Sequence, residues 1–222
     1  MSNGLVITLF ISIPLILILA LFFFEIKTVH IKRSYKKIVY SKLIHYADES
    51  NQLLANDVHL LLPNDETISK IDHIFIADKY IYIIKDVYYS GMIYGNISDP
   101  YIFTINSKNK KSRIPNPLFE NNRIVNDLMD ALDPSKKDNT IVNVICYNSD
   151  LVLPVDMKIK KQGVFFVSSK ELVQTIKDAE KDNIIAIPHA KSEKLIQMIV
   201  NNSNQLKEEE KKLSESKKRK AK

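Results

Sequence analysis

Four cations in the polar stretch Asn106 to Pro115, namely Lys108, Lys110, Lys111 and Arg113, could hold phosphates. The same stretch also reads as a solvated loop. The residues that could do other chemistry are sparse. The five histidines, His30, His45, His59, His73 and His189, are scattered, and no paired Cys or His spacing suggests zinc. With four glycines there is no phosphate-cradling loop, and no G-x-S-x-G turn occurs. The single cysteine, Cys146, lies in the apolar stretch Ile141 to Tyr147 and cannot form an internal disulfide. It fits a reducing compartment and reads as a small core residue. Asp72 lies within the apolar run Ile71 to Ala77. Cleaving a phosphodiester with Mg²⁺ needs carboxylates converging on one hard cation, and commonly a lysine near the attacking water. On a strand, positions i and i+2 face the same side, so an acid-x-Lys triplet presents both groups to one pocket.

These residues must be positioned by a mixture of strands and helices. A helix is expected over Ser34 to Ala47, where Ile38, Leu43 and Ile44 form part of an apolar stripe. Short branched or aromatic runs at Val58 to Leu62, Ile71 to Ala77 and Tyr80 to Val87 predict strands. Asp78-Lys79 between the last two predicts a tight hairpin. Gly91 and Gly95 bracket Met-Ile-Tyr, and with a strand at Tyr101 to Ile105 the sheet is expected to continue as a meander. A helix follows over Pro117 to Leu132, since proline suits a first turn. Strands at Thr140 to Tyr147 and Val164 to Val167 precede a helix that Ser168 can cap with Glu171. A last helix is expected over Ser192 to Val200. The charged tail from Asn204 to Lys222 has few apolar side chains and predicts disorder or a frayed, exposed helix.

Several short motifs occur in order: Asn56-Asp57-Val58, Ile71-Asp72-His73-Ile74, an apolar strand running into Tyr89-Ser90-Gly91-Met92-Ile93-Tyr94-Gly95, and Asn116-Pro117-Leu118. Over about residues 35–132 the chain resembles the nuclease-related domain, NERD. The resemblance implies an α/β, restriction-endonuclease-like mixed sheet flanked by helices, with a D/E-x-K metal-dependent nuclease site. Counted back from Gly91, the family's acid-x-Lys falls on Lys85-Asp86-Val87, so a cation takes the metal-ligand position and an apolar side chain the lysine position. Asp72 matches a catalytic residue and is the one weak metal candidate. Residues 34–46 contain no acid to match that of the family's first helix, and the polar pair after Asn-Pro-Leu has Glu120 where Gln is usual, followed by a matching Asn121. Two readings follow. In one, Lys85 pairs with Asp72 where a metal once sat and the domain has lost the reaction. In the other, Asp86 rejoins Asp72 through a bulge and activity survives with Mg²⁺. A one-residue shift turns a side chain to the opposite face, which favours the first.

The chain also carries a membrane signal. Leu5 to Phe24 is an apolar run without an ionisable side chain, the roughly 20 residues that cross about 30 Å of hydrocarbon. Its uncharged start and bulky exit favour a retained anchor over a cleaved signal peptide. Lys27, Lys32, Arg33, Lys36, Lys37 and Lys42 follow, and this basic flank predicts that the bulk of the chain is cytoplasmic and the protein single-pass in the cell membrane. The formal net charge is +6, yet residues 43–202 carry 18 basic and 21 acidic side chains. Phosphate binding by the folded part would therefore need a local patch. The expected organisation is an anchor over residues 1–26, a basic segment over 27–42 running into the first helix, a nuclease-related domain with its C-terminal extension over 43–202, and a charged tail over 203–222. The expected function is a membrane-anchored nucleic-acid-binding or scaffolding module that has lost catalysis. Its rivals are a tethered metal-dependent endonuclease and a component that recruits a protein partner. No small-molecule cofactor is called for, and Mg²⁺ enters only with the endonuclease.

Overall fold

The structure, a computed structural model, describes residues 29–61, 68–96, 98–106, 109–132, 140–153, 160–161 and 163–220. The apolar run Leu5 to Phe24 lies outside them, and among the described residues no helix is long and apolar enough to cross a membrane. The chain divides into two units, Met1–Ile38 and Val39–Lys222. A helix, α1, covers residues 29–50.

Within the second unit, strands β1 (Leu53–Leu61), β2 (Ile68–Ile76) and β3 (Ile81–Val87) form an antiparallel meander. Asp78 and Lys79 turn the chain between β2 and β3, with the Ala77 N–H donating to the Tyr80 carbonyl at 2.9 Å. The chain then leaves through β4 (Met92–Tyr94), β5 (Tyr101–Ile105) and β6 (Lys111–Pro115), crosses helix α2 (Pro117–Leu132), and returns as β7 (Ile141–Tyr147), parallel to β3. Such a parallel return needs a crossover, and α2 supplies it. β8 (Lys160–Lys161), β9 (Val164–Ser168), α3 (Leu172–Ala179) and α4 (His189–Lys220) complete the chain. The large sheet runs β1-β2-β3-β7-β9-β8, mixed in direction and flanked by helices.

β7 is buried at every position, as a central strand covered on both faces must be. On one face Ile74, Ile76, Ile81 and Ile83 pack with Ile124, Val125 and Leu128 of α2 and Ile199 of α4. On the other, Tyr46 of α1 stacks on Phe75 with ring centroids 5.5 Å apart. Cys146 is buried within the sheet, on β7.

Two expectations are corrected. The strands after Gly91 do not extend the large sheet but form a separate three-stranded sheet, β4-β5-β6. Gly91 has φ 98°, and a Cβ there would collide with the Ile105 carbonyl oxygen, so the chain makes a bend open to glycine alone. Half of the stretch read as a solvated loop is β6.

The second correction concerns the tail. Helix α4 does not stop near Val200 but continues to Lys220, and its middle lies along β1, the edge strand. Ser203 is buried, and its Oγ accepts the His59 backbone N–H at 2.9 Å. Lys207 reaches Asp57 at 3.1 Å, and Glu210 lies 2.9 Å from His59 Nδ1. An edge strand presents unpaired backbone groups, and here a polar helix face meets one. These contacts leave no apolar periodicity for a sequence pattern to detect.

Candidate functional site

The residues singled out for metal chemistry gather where β2 and β3 part. Their ladder ends at His73↔Ile84, while β3 runs on beside β7 as far as Val87↔Tyr147. Beyond Ile84 the Asp86 N–H is received by the side chain of Asp72, whose Oδ2 accepts it at 2.9 Å. On the other side of β2, pairing with β1 passes from Asn56↔His73 to Val58↔Ile71 and skips Asp57, which is left-handed at φ 51°. Asp and Asn tolerate that conformation better than other side chains, which accounts for Asp57 at this point. Asp72 thus sits where both ladders are interrupted, and its carboxylate takes the place of a backbone acceptor.

Strand alternation separates Lys85 from Asp86. Asp86 turns to the face of His73, and His73 Nε2 lies 2.8 Å from Asp86 Oδ2, with side-chain exposures of 2% and 0%. Tyr40 of α1 stacks over the His73 ring at 6.3 Å between centroids. Lys85 turns to the α2 side, where its ammonium lies 3.0 Å from Glu120 in the first turn of that helix. The first of the two readings set Lys85 against Asp72; the structure places its ammonium at Glu120, because at this level β3 is flanked by β7 and α2. Beside them, burial and the charge of Glu120 hold the Tyr89 phenol above its ordinary value. Asn121 is buried and structural in its contacts: its Nδ2 donates to the Ile83 carbonyl at 3.1 Å and to Asn143 Oδ1 at 2.7 Å, tying α2 to β3 and β7.

Asn116-Pro117-Leu118 has an equally local explanation. Asn116 Oδ1 accepts the Leu118 N–H at 3.0 Å, which caps α2 with proline in its first turn. Its Nδ2 donates to the Asp99 carbonyl at 2.8 Å and binds the helix start to the small sheet.

These residues do not fit a divalent cation. Asp86 is enclosed against an imidazole, Lys85 brings a positive charge to the triplet, and Val87 is buried in an apolar cluster with Ile93, Ile102 and Leu118. Among the described residues no group of three or more His, Cys, Asp or Glu side chains is placed to hold a metal ion. The sequence missed His73 as a partner for Asp86, although a two-residue turn at Asp78-Lys79 already sets His73 opposite Ile84, one diagonal step from Asp86.

The basic stretch divides. Lys108 lies outside the described residues, Lys110 precedes β6, and Lys111 and Arg113 are exposed on it.

The family model of the nuclease-related domain matches residues 31–148, from α1 through β7 and the residue after it. No curated protein and no solved structure matches the chain.

Proposed function

This chain belongs to the nuclease-related domain family, and from that premise we propose that it is a membrane-anchored, cytoplasm-facing member that has lost catalysis and binds nucleic acid or scaffolds an assembly. The observation that carries this reading is the fate of the acid-x-Lys triplet. Lys85 is paired with Glu120, Asp86 is closed off by His73, and Val87 is core. A metal-dependent nuclease of the restriction-endonuclease-like kind needs carboxylates open to a hydrated cation and to substrate. Neither charged member of this triplet offers that. The apolar run Leu5 to Phe24 and the cations after it support the anchor and its orientation.

The test uses the full-length chain in neutral detergent with supercoiled plasmid and either Mg²⁺ or Mn²⁺. The expected result is no nicking, together with DNA retention that weakens steeply as salt rises. Cleavage that disappears in Asp72→Ala would overturn the loss of catalysis. Absence of retention at low salt would leave the protein-recruiting version.

A further inference from the structure

The small sheet has one face in the core and one in water, and the water face has an unusual composition. Ile93 and Ile102 point inward and are buried. Register aligns Tyr94 with Phe103 and Phe103 with Arg113, so these share the outer face, with Tyr101 and Lys111 two residues along their strands. The Tyr94 and Phe103 rings stack at 5.5 Å. Lys111 Nζ lies 4.1 Å from the Phe103 centroid and 4.8 Å from that of Tyr94. The Arg113 guanidinium lies 3.8 Å over Tyr101, which is 44% exposed.

We infer that this outer face, Tyr94, Tyr101, Phe103, Lys111 and Arg113, is a stacking platform for single-stranded nucleic acid. The inference deepens the non-catalytic nucleic-acid reading and rests on it. The solvent side of a one-sided antiparallel sheet is ordinarily polar. Here it carries three rings and two cations. Covering the rings with Lys and Arg accounts for part of this arrangement, but one cation per ring would need no cluster. The charge is local as well: residues 92–115 carry four basic side chains and one acidic, within a 43–202 segment in which acids outnumber bases. A polyanion with exposed aromatic faces complements both features, since bases stack on aromatic rings while Lys and Arg track the phosphates. Duplex DNA keeps its base faces inside its own stack and could use only the cations. An arginine already seated over a tyrosine brings its guanidinium within reach of a base that stacks beside it.

The test is fluorescence anisotropy with the full-length chain in neutral detergent, against labelled oligothymidine of about 12 nucleotides and a duplex of the same length. Single strand is expected to bind more tightly than duplex. Tyr101→Ala should weaken the single-strand complex by about 5-fold or more, leave duplex binding unchanged, and be rescued by Tyr101→Phe. The chain contains no tryptophan, so quenching of tyrosine emission by oligothymidine reads stacking directly. Phe103→Ala is the second variant; Tyr101 is exposed enough for its own variant to keep the fold, checked by circular dichroism. Single-strand binding that neither variant weakens would overturn the platform and leave the non-catalytic reading standing. Equal or tighter binding of duplex would do the same. No binding of either DNA would sink the platform together with the nucleic-acid half of the proposed function, and binding only to vesicles of anionic lipid would assign the face to a membrane surface instead.

Discussion

His73 and Asp86 form a closed pair between adjacent strands, Nε2 to Oδ2 at 2.8 Å, with side chains 2% and 0% exposed. Removing one partner of such a pair strands the other without water, which typically costs about 3–5 kcal/mol. Asp86→Ala should therefore lower the free energy of unfolding by about that much, read from urea denaturation at neutral pH. Replacing both residues with leucine should recover a large part of the loss, because the polar group left behind disappears. A cost below about 1 kcal/mol for Asp86→Ala, the level of an exposed pair, would show that the pair is open to solvent.

Restoring the family triplet should fail. Lys85→Glu places a carboxylate beside Glu120, and Val87→Lys puts an ammonium among Ile93, Ile102 and Leu118. Burying a lone ammonium costs several kcal/mol, so the double variant should unfold at lower urea than the wild type or Lys85→Glu alone. Calorimetric titration with Mn²⁺ should show no site. Stoichiometric Mn²⁺ binding by a folded double variant would mean that the strand faces differ from those described.

Glu180 makes stability depend on pH. Its Oε1 accepts the Tyr82 hydroxyl at 2.7 Å and its Oε2 the Lys79 N–H at 2.9 Å, yet burial pushes its carboxyl above the ordinary 4.5. The folded chain thus holds this proton to higher pH than the unfolded chain does. The resulting stabilisation is fully present below the unfolded value and is lost as pH rises through the raised one. The Tm of the wild type minus that of Glu180→Gln should fall across this window. A difference that is flat with pH would remove Glu180 as the cause.

Helix α4 should contribute to stability beyond Ser203. Deleting residues 204–222 removes the contacts of Lys207 with Asp57 and of Glu210 with His59. Partly exposed pairs are worth about 0.2–1 kcal/mol each, so the truncated chain should unfold at slightly lower urea, with lost helical ellipticity. An unchanged midpoint would match the disordered tail that composition suggests.

Much of the fold was legible because its signals are local. Branched apolar runs, the Asp78-Lys79 turn and the Asn116-Pro117 helix start each act within a few residues, and β2, β3, α2, β7 and β9 lie close to where the pattern puts them. The separate small sheet was not legible, since Gly91 marks a bend without saying whether the next strands rejoin the sheet they left. The full length of the C-terminal helix was not legible for a different reason: polar contacts to an edge strand hold its middle, and they leave no period in hydrophobicity.

The sequence by itself determined the charged positions that face opposite ways on β3, because side chains alternate along any strand and Lys85 and Asp86 are adjacent. Which residue answers each charge was decided by the tertiary structure alone. Glu120 reaches Lys85 only because α2 packs over β3 after a crossover of its own length, and Asp72 meets the Asp86 N–H only because β2 and β3 part at Ile84. Such pairings depend on how separate elements are stacked in space, at distances along the chain where no local pattern carries information.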